Sequence, residues 1–132
     1  MLNISSRRIE MVKTKLRPIL PSLREKKRYL VFEAISESKI TDSNAVASAI
    51  HDCALRFLGH LGAAKAGIMV LGNKWDEHLQ RGMIKVNHKH VDSLKASLVF
   101  INRIGSNDVI FRSLGVSGIL RKAESNYLKK AG

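Results

Sequence analysis

The clearest hydrophobic pattern in the chain is a run of aromatic and aliphatic residues at Tyr29-Leu30-Val31-Phe32. Such residues suit a pleated, half-buried surface, so the run predicts a β-strand over roughly Arg28–Ser36. The chain enters this strand through Arg24–Arg28, where four of five residues are cationic. A strand fixed in a sheet would therefore present a fixed cluster of positive charge.

A longer stretch after this strand has the three-to-four residue spacing of an amphipathic helix. One of residues 41–43 (Thr-Asp-Ser) supplies the N-cap, and Gly59 and Gly62 lie where a C-cap is expected. The predicted buried stripe is Val46, Ile50, Cys53, Phe57 and Leu61. This pattern places Phe57 in the core, where its truncation to Ala would cost about 3–5 kcal/mol.

Two strand-like runs follow, near residues 66–75 and 80–87, and the short polar link Asp76–Leu79 predicts that they form a hairpin with a bulge at Gly72. In the second run Ile84 and Val86 share one face of the sheet. Met83 and Lys85 share the other face.

A second amphipathic helix is expected to begin at Asn87 or His88. Its predicted stripe is Val91, Leu94, Leu98, Ile101 and Ile104. The turn signal Gly105–Asp108 then leads into a short last strand at Val109–Arg112. A glycine-containing turn over 114–118 starts a basic terminal helix that reaches about Lys130.

This order of elements, β-α-β-β-α-β with a further helix, predicts an α+β, ferredoxin-like domain over residues 28–132. Such a domain has an antiparallel four-stranded sheet with two helices on one face. Residues 1–27 form a basic N-terminal arm, interrupted by Pro18 and Pro21, that should be loosely ordered until something binds it. Apolar residues on the other sheet face predict that terminal segments or a partner cover it. They are Tyr29, Val31, Met83 and Ile110.

Charge is concentrated at the two ends of the chain. Lys and Arg number 23 against 11 Asp and Glu, and the isoelectric point is about 10.3. Residues 1–28 hold nine cations and two acids, and residues 112–132 hold five and one, whereas the middle section is nearly neutral. If the fold brings the ends together, one region becomes strongly basic and suits a polyanion.

Neither a membrane nor an oxidising compartment fits the composition. The longest apolar run, Ile68–Leu71, is far shorter than the about 20 residues that span a bilayer. The start of the chain lacks the apolar region of a signal peptide. Cys53 is the single cysteine, so no internal disulfide can form. We therefore expect a cytoplasmic protein without a membrane contact.

Candidate catalytic groups are few, and ordinary structural roles explain them. His51, Asp52 and Cys53 are adjacent on a helix, so they point in different directions, and Cys53 falls on the apolar stripe. His88 and His90 lack nearby third and fourth ligands for zinc. The acidic pair in the hairpin link is typical of a solvated turn. We predict no catalytic residue, no metal ligand and no cofactor bound by this chain.

Two basic clusters predict RNA binding: the run Arg24–Arg28, and the pairs Arg121-Lys122 and Lys129-Lys130 near the other end of the chain. Residues 81–88 start like the third strand of an RNA recognition motif, with Arg81-Gly82, but carry Met83, Lys85 and His88 where that module keeps stacking aromatics. Recognition should therefore use phosphates and RNA shape. The residues predicted to contact RNA are Arg24, Lys26, Lys27, Arg28, Arg112, Arg121 and Lys122.

Three separated motifs resemble ribonuclease P protein component 2, the archaeal version of a subunit shared with eukaryotic ribonuclease P. They are Leu23–Leu30, the run Gly82–His88 followed by Val91-Asp92, and Val109–Gly118. The family usually has Thr at the positions of Ser113 and Ile119. The resemblance covers about residues 13–125.

The resemblance implies a ferredoxin-like core and membership of the ribonucleoprotein that removes the 5′ leader from precursor tRNA. In that enzyme the RNA subunit hydrolyses the phosphodiester bond with magnesium. The resemblance implies ribonuclease P RNA, protein component 3 and, within the complex, precursor tRNA as partners, and also self-association. Enzyme activity would belong to the holoenzyme and not to this chain alone.

Other functions remain open on the residues alone. A ribosomal or general RNA-binding protein of the same fold shares the charge argument and differs in its RNA target. A small regulatory domain that binds a metal or metabolite is also common on this fold. A free-standing nuclease would need a catalytic site, which the sequence does not indicate.

Overall fold

The computed structural model describes residues 26–129. Arg24 and nearly all of the predicted N-terminal arm lie outside these residues. Two 3₁₀ turns, Gly72–Lys74 and His88–His90, accompany the main elements. In chain order these are β1 (Lys27–Ser36), α1 (Ser43–Ala66), β2 (Met69–Val70), β3 (Arg81–Asn87), α2 (Val91–Val99), β4 (Arg103–Ile104), β5 (Asn107–Ser117) and α3 (Leu120–Ala123), which continues as a π-helical turn, Glu124–Leu128.

The strands form one antiparallel sheet in the order β2-β3-β1-β5-β4. The first four of these have the order of a ferredoxin-like sheet, and the two-residue β4 adds a small hairpin at the edge. The α+β, ferredoxin-like prediction is confirmed. The predicted first strand is confirmed as well. It lies at the centre of the sheet, because β1 pairs with β3 on one side and with β5 on the other.

The main core lies between the sheet and helices α1 and α2. Phe32 is fully buried there. Its ring stacks on Trp75 with centroids 6.1 Å apart and packs at a tilt against Phe111 with centroids 5.5 Å apart. Gly82 lies under the same ring, because a β-carbon at this position would be 2.6 Å from Phe32 Cζ. The other fully buried members of this core include Leu30, Ile50, Val86 and Leu94.

The opposite sheet face is covered by the end of the chain, as one of the two sequence alternatives predicted. Val31 and Met83 are fully buried there beneath Ala123 and Leu128, with Tyr29 packed alongside. Ile110 differs from these neighbours, since 65% of it is exposed beside its cross-strand partner Ile35. The C-terminal segment therefore covers the face near the start of β1 and leaves the far end open.

Helix α1 departs from the prediction at its second half. Asp42 is the N-cap, as expected, but the helix runs on to Ala66 and is capped by Gly67. Gly59 has a positive φ of 75° inside it, so the axis kinks there. The predicted burial of Phe57 and Leu61 is wrong, since they are 47% and 61% exposed.

The predicted hairpin and the last strand also need correction. The first hairpin strand shortens to Met69–Val70, and Gly72 belongs to a 3₁₀ turn and not to a bulge. The last strand is longer than predicted, since β5 continues through the expected turn to Ser117. The terminal helix is shorter, with a single α-helical turn before the π-helical turn. No helix within residues 26–129 is long and apolar enough to cross a membrane.

Candidate nucleic-acid interface

The antiparallel pairing brings several chain segments to one end of the sheet. β1 begins there with Lys27 opposite Asn87 of β3, and Tyr29 lies opposite Ser117 of β5. The amide of His88 donates to the carbonyl oxygen of Lys26 at 2.9 Å, which holds the chain entering β1 against the chain leaving β3. The N-terminal basic run therefore meets the exits of two other strands.

The two basic clusters predicted from sequence meet at this end. Arg28 lies against Gly118, where a β-carbon would be 3.0 Å from the guanidinium Nη1. Arg121 follows Gly118 by three residues, so their Cα atoms are at most about 11 Å apart. We call the group of Lys26, Lys27, Arg28, Arg121 and Lys122 the basic end. Five of the seven predicted RNA contacts thus belong to one region.

Within the described residues, no carboxylate forms an ion pair with these five cations. Within residues 26–129 the ion pairs join Lys74, Arg81, Arg103 and Arg112 to acids, and none involves a member of the basic end. Many acidic residues instead follow the exit of β1, precede β3 or lie at the start of β5, which places them at the opposite end of the sheet. They are Glu37, Asp42, Asp76, Glu77 and Asp108. The fold therefore separates charge along the strand direction, which leaves a positive field at the basic end.

Arg112 occupies a different place from the other predicted contacts. It lies opposite Glu33 in β5, and its Nη2 is 3.0 Å from that carboxylate. Glu33 is five residues along β1 from Arg28, which is about 16 Å in a strand. The structure thus keeps Arg112 outside the basic end, although 56% of its side chain is exposed.

The structure adds cations that the sequence interpretation left out. Lys65 is in the last turn of α1, which runs back toward the start of β1. Lys85 lies opposite Tyr29, and the 3₁₀ turn at His88–His90 carries Lys89 next to the exit of β3. Each of these is a single charge in an apolar or mixed segment. Only the strand pairing shows that they share one end of the sheet.

The candidate catalytic groups do not converge. The Cys53 thiol faces α2 and donates to the Ser97 carbonyl oxygen at 3.0 Å, whereas His51 and Asp52 are exposed. Burial raises the pKa of the Cys53 thiol, which favours an unreactive protonated form. Throughout the described part of the chain, no three His, Cys, Asp or Glu side chains are grouped in a way that would hold a metal ion.

Asn87, the last residue of β3, caps the 3₁₀ turn that follows the strand. Its side-chain oxygen accepts from the Lys89 amide at 3.1 Å and so caps the 3₁₀ turn that precedes α2. The residue is fully buried. This cap fixes the direction in which the His88–His90 turn leaves the sheet, next to Lys26.

A family model and proteins of similar sequence were compared with this chain. Residues 28–128 match the model of the Rpp14/Pop5 family. The chain is 36% identical over 112 residues to ribonuclease P protein component 2 of Thermococcus kodakarensis, a match that covers 85% of this chain and 91% of the relative. It is 35% identical over 117 residues to the protein of the same name from Methanosarcina mazei, covering 89% and 97%.

A solved structure shares the fold. A chain in the cryo-electron microscopy structure of yeast ribonuclease MRP superimposes with a TM-score of 0.57 at 19% sequence identity, covering 74% of this chain and 77% of that one. At this identity the likeness concerns the arrangement of helices and strands. It agrees with the mixed α+β fold found here.

Proposed function

This chain belongs to the Rpp14/Pop5 family, and on that premise we propose that it is a protein subunit of ribonuclease P. Its task is to bind and stabilise the catalytic RNA during removal of the 5′ leader from precursor tRNA. The supporting observation is the basic end, where cations from two distant parts of the sequence meet without internal carboxylate partners in residues 26–129.

Folding an RNA and binding an RNA substrate to it both bring phosphates together. Cations held on a rigid sheet lower this repulsion and release the counterions that the RNA has condensed. Arg28 is the second residue of β1. It pairs with Val86 of β3 and precedes Tyr29, which is paired on both sides, so its backbone position is fixed before RNA arrives. The basic end can therefore favour one RNA conformation at little ordering cost.

The chemistry in this proposal belongs to the RNA. Magnesium held by the RNA subunit would supply the activated water and stabilise the leaving oxygen. This chain contributes positive charge and shape. Arg24, which is also proposed to contact RNA, lies outside the described residues. The complete enzyme is the endonuclease, with this chain as a non-catalytic part.

Reconstitution tests the proposal. Cleavage of precursor tRNA would be measured with ribonuclease P RNA and protein component 3, with and without this chain, over a range of magnesium concentrations. We expect the chain to lower the magnesium concentration needed for half-maximal cleavage, because its cations replace part of the metal's screening.

A matched control separates this function from general RNA binding. Affinity for ribonuclease P RNA would be compared with affinity for a ribosomal RNA fragment of equal length at the same salt concentration. Equal affinity for both RNAs, together with unchanged cleavage, would favour a general RNA-binding protein. Activity of the purified chain alone would contradict the non-catalytic role.

Protein component 3 is the proposed protein partner, and exposed apolar residues on the two helices offer it a surface. Phe57 of α1 and Phe100 after α2 are in contact, with ring centroids 5.3 Å apart. Phe57 is 47% exposed and Phe100 is 65% exposed. With Val99, which directly precedes Phe100 and is 73% exposed, they form what we call the helical patch. Next to the two rings is a cavity of about 630 Å³, lined in part by Ala45 and Ala49. Contiguous apolar surface of this kind is typical of a protein interface.

Replacing Phe57 and Phe100 together by Ser should weaken binding to component 3 by at least about tenfold, since buried aromatic anchors commonly contribute 2 kcal/mol or more each. Isothermal titration calorimetry would measure the dissociation constant. The matched control replaces Ile35 and Ile110, an exposed apolar pair on the sheet face, by Ser.

Two results would contradict this surface. One is equal weakening by both double variants. The other is retained binding to component 3 together with loss of self-association, measured by light scattering, which would assign the helical patch to a second copy of this chain.

A further inference from the structure

Arg81 is a buried cation whose role the RNA-binding proposal does not explain. It is 5% exposed, at the start of β3 on the sheet face opposite α1 and α2. Its Nε donates to Glu33 Oε2 at 3.1 Å, and its Nη1 donates to the carbonyl oxygen of Tyr127, also at 3.1 Å. Burying a guanidinium is costly unless its donors are used, so these bonds stabilise a specific arrangement.

The Tyr127 carbonyl belongs to the segment that covers this sheet face, which we call the C-terminal segment (Leu120–Leu128). The segment consists of one α-helical turn and one π-helical turn. A helix this short does not form without tertiary contacts, because its first turn costs more than its few hydrogen bonds return. Its position must therefore be set by the sheet beneath it.

Two further contacts fasten the same segment. The Tyr127 ring lies directly on Gly115, where a β-carbon would come within 2.3 Å of ring carbons. Lys74 Nζ is 3.0 Å from Glu124 Oε1. The hydrogen bond from Lys74 lowers the pKa of the Glu124 carboxyl, so this carboxylate is charged at neutral pH. The segment is held at its middle and at its end.

The beginning of this segment carries two members of the basic end, Arg121 and Lys122, which are both exposed. Four residues of the segment face the sheet instead and pack over Val31 and Met83. They are Leu120, Ala123, Tyr127 and Leu128. Docking of the segment therefore determines where its two cations stand relative to Arg28.

We infer that Arg81 is a positioning residue for RNA binding: it fastens the C-terminal segment across the sheet and so sets Arg121 and Lys122 beside Arg28. The inference rests on the proposed function for its RNA partner. Arg81 itself is too buried to serve as a phosphate ligand, so it acts through the two exposed cations. Glu33 takes part as the shared carboxylate, since it also binds Arg112.

A double-mutant cycle in the full-length chain tests the inference. Affinity for ribonuclease P RNA would be measured for the wild type, Arg81→Gln, the pair Arg121→Gln with Lys122→Gln, and all three together. We expect Arg81→Gln and the Gln pair each to weaken binding by roughly ten- to a hundredfold at about 0.1 M salt. The triple variant should be little weaker than the Gln pair, because the two changes remove the same contacts. If the affinity loss of the triple variant equals the product of the losses from Arg81→Gln and from the Gln pair, the inference is overturned.

A second variant keeps the test valid if Arg81→Gln does not fold. Gly115→Ala leaves every charge in place, but its added methyl group displaces the Tyr127 ring from its contact with residue 115. It should show the same coupling to Arg121 and Lys122. Losses of affinity from Gly115→Ala that multiply with those of the Gln pair would again contradict positioning through these cations.

Hydrogen–deuterium exchange provides a readout that does not need RNA. In both variants amides of the C-terminal segment should exchange faster while those of β1 and β3 stay protected. Unchanged exchange in the segment would overturn the inference. Failure of the wild type to bind ribonuclease P RNA, combined with faster exchange in the variants, would instead refute the proposed function and leave the fastening role intact.

Discussion

Replacing Lys27, Arg28, Arg121 and Lys122 by Gln is expected to reduce affinity for ribonuclease P RNA by on the order of 100- to 1000-fold at about 0.1 M salt. Each phosphate contact releases condensed counterions, so each one contributes about 0.7–0.9 to the slope of log affinity against log salt concentration. Loss of four contacts should therefore make the slope shallower by up to roughly 2.8–3.6. Filter binding or fluorescence anisotropy over a range of salt concentrations would measure both quantities.

The control variant removes four positive charges elsewhere. They lie outside the basic end, on a loop, on helices α1 and α2 and on the edge strand β4. These residues are Lys39, Arg56, Lys95 and Arg103. Their replacement by Gln changes the net charge equally, so it reports the long-range effect of total charge. If both variants weaken binding to the same degree, the protein attracts RNA by its overall charge and the basic end is not the binding site.

The central part of the fold could be predicted because the relevant signals are local. Alternation in residues 28–36 and 81–87 indicates which faces are buried, and Ile84 and Val86 are indeed in the main core while Met83 is on the other side. The N-cap at Asp42 is likewise a matter of neighbouring residues. Such signals determine the order of elements, and the order determines the sheet.

Helix α1 could not be predicted in full, because a hydrophobic stripe does not show how far along the helix the rest of the protein covers it. Phe57 continues the spacing of Val46 and Ile50, yet its neighbour is Phe100 at the end of a helix of nine residues. Gly59 then breaks the helical phase, so Leu61 does not continue the stripe. Apolar periodicity is the same for a core and for an interface with another molecule.

The end of the chain was mispredicted because its structure depends on contacts distant in sequence. Gly115 and Gly118 resemble a turn, but Gly115 lies within β5, where the Tyr127 ring occupies the place of a side chain. Arg81 and Arg112 reach Glu33 from 48 and 79 residues away. No local pattern indicates these partners.

The candidate site was partly accessible from sequence. The excess of positive charge at both ends of the chain predicted a basic surface, and strand pairing places Arg28 next to Gly118. The distribution of charge did not show that Arg112 would be paired with a carboxylate. It also did not indicate Lys65 or Lys89, because a single cation can be assigned to a basic surface only after the topology is known.

The largest expected effect on stability is at Phe32, and Phe57 provides its matched control. Phe32 is fully buried between Trp75 and Phe111 and directly over Gly82, so removal of its ring leaves a cavity that the sheet cannot close. Phe32→Ala should lower the free energy of unfolding by about 3–5 kcal/mol. Phe57→Ala should lower it by no more than about 1 kcal/mol, because about half of that side chain already contacts water.

Urea unfolding followed by circular dichroism would measure both variants in the absence of partner and RNA, so that an interface role of Phe57 does not enter. The dependence of the free energy on urea should stay the same, because the surface exposed on unfolding is nearly unchanged. If Phe57→Ala lowers the free energy of unfolding as much as Phe32→Ala does, the continuous buried stripe predicted from sequence is correct. The second half of α1 would then pack against the core. A small loss at Phe57 leaves its exposed ring, next to Phe100, available to a protein partner.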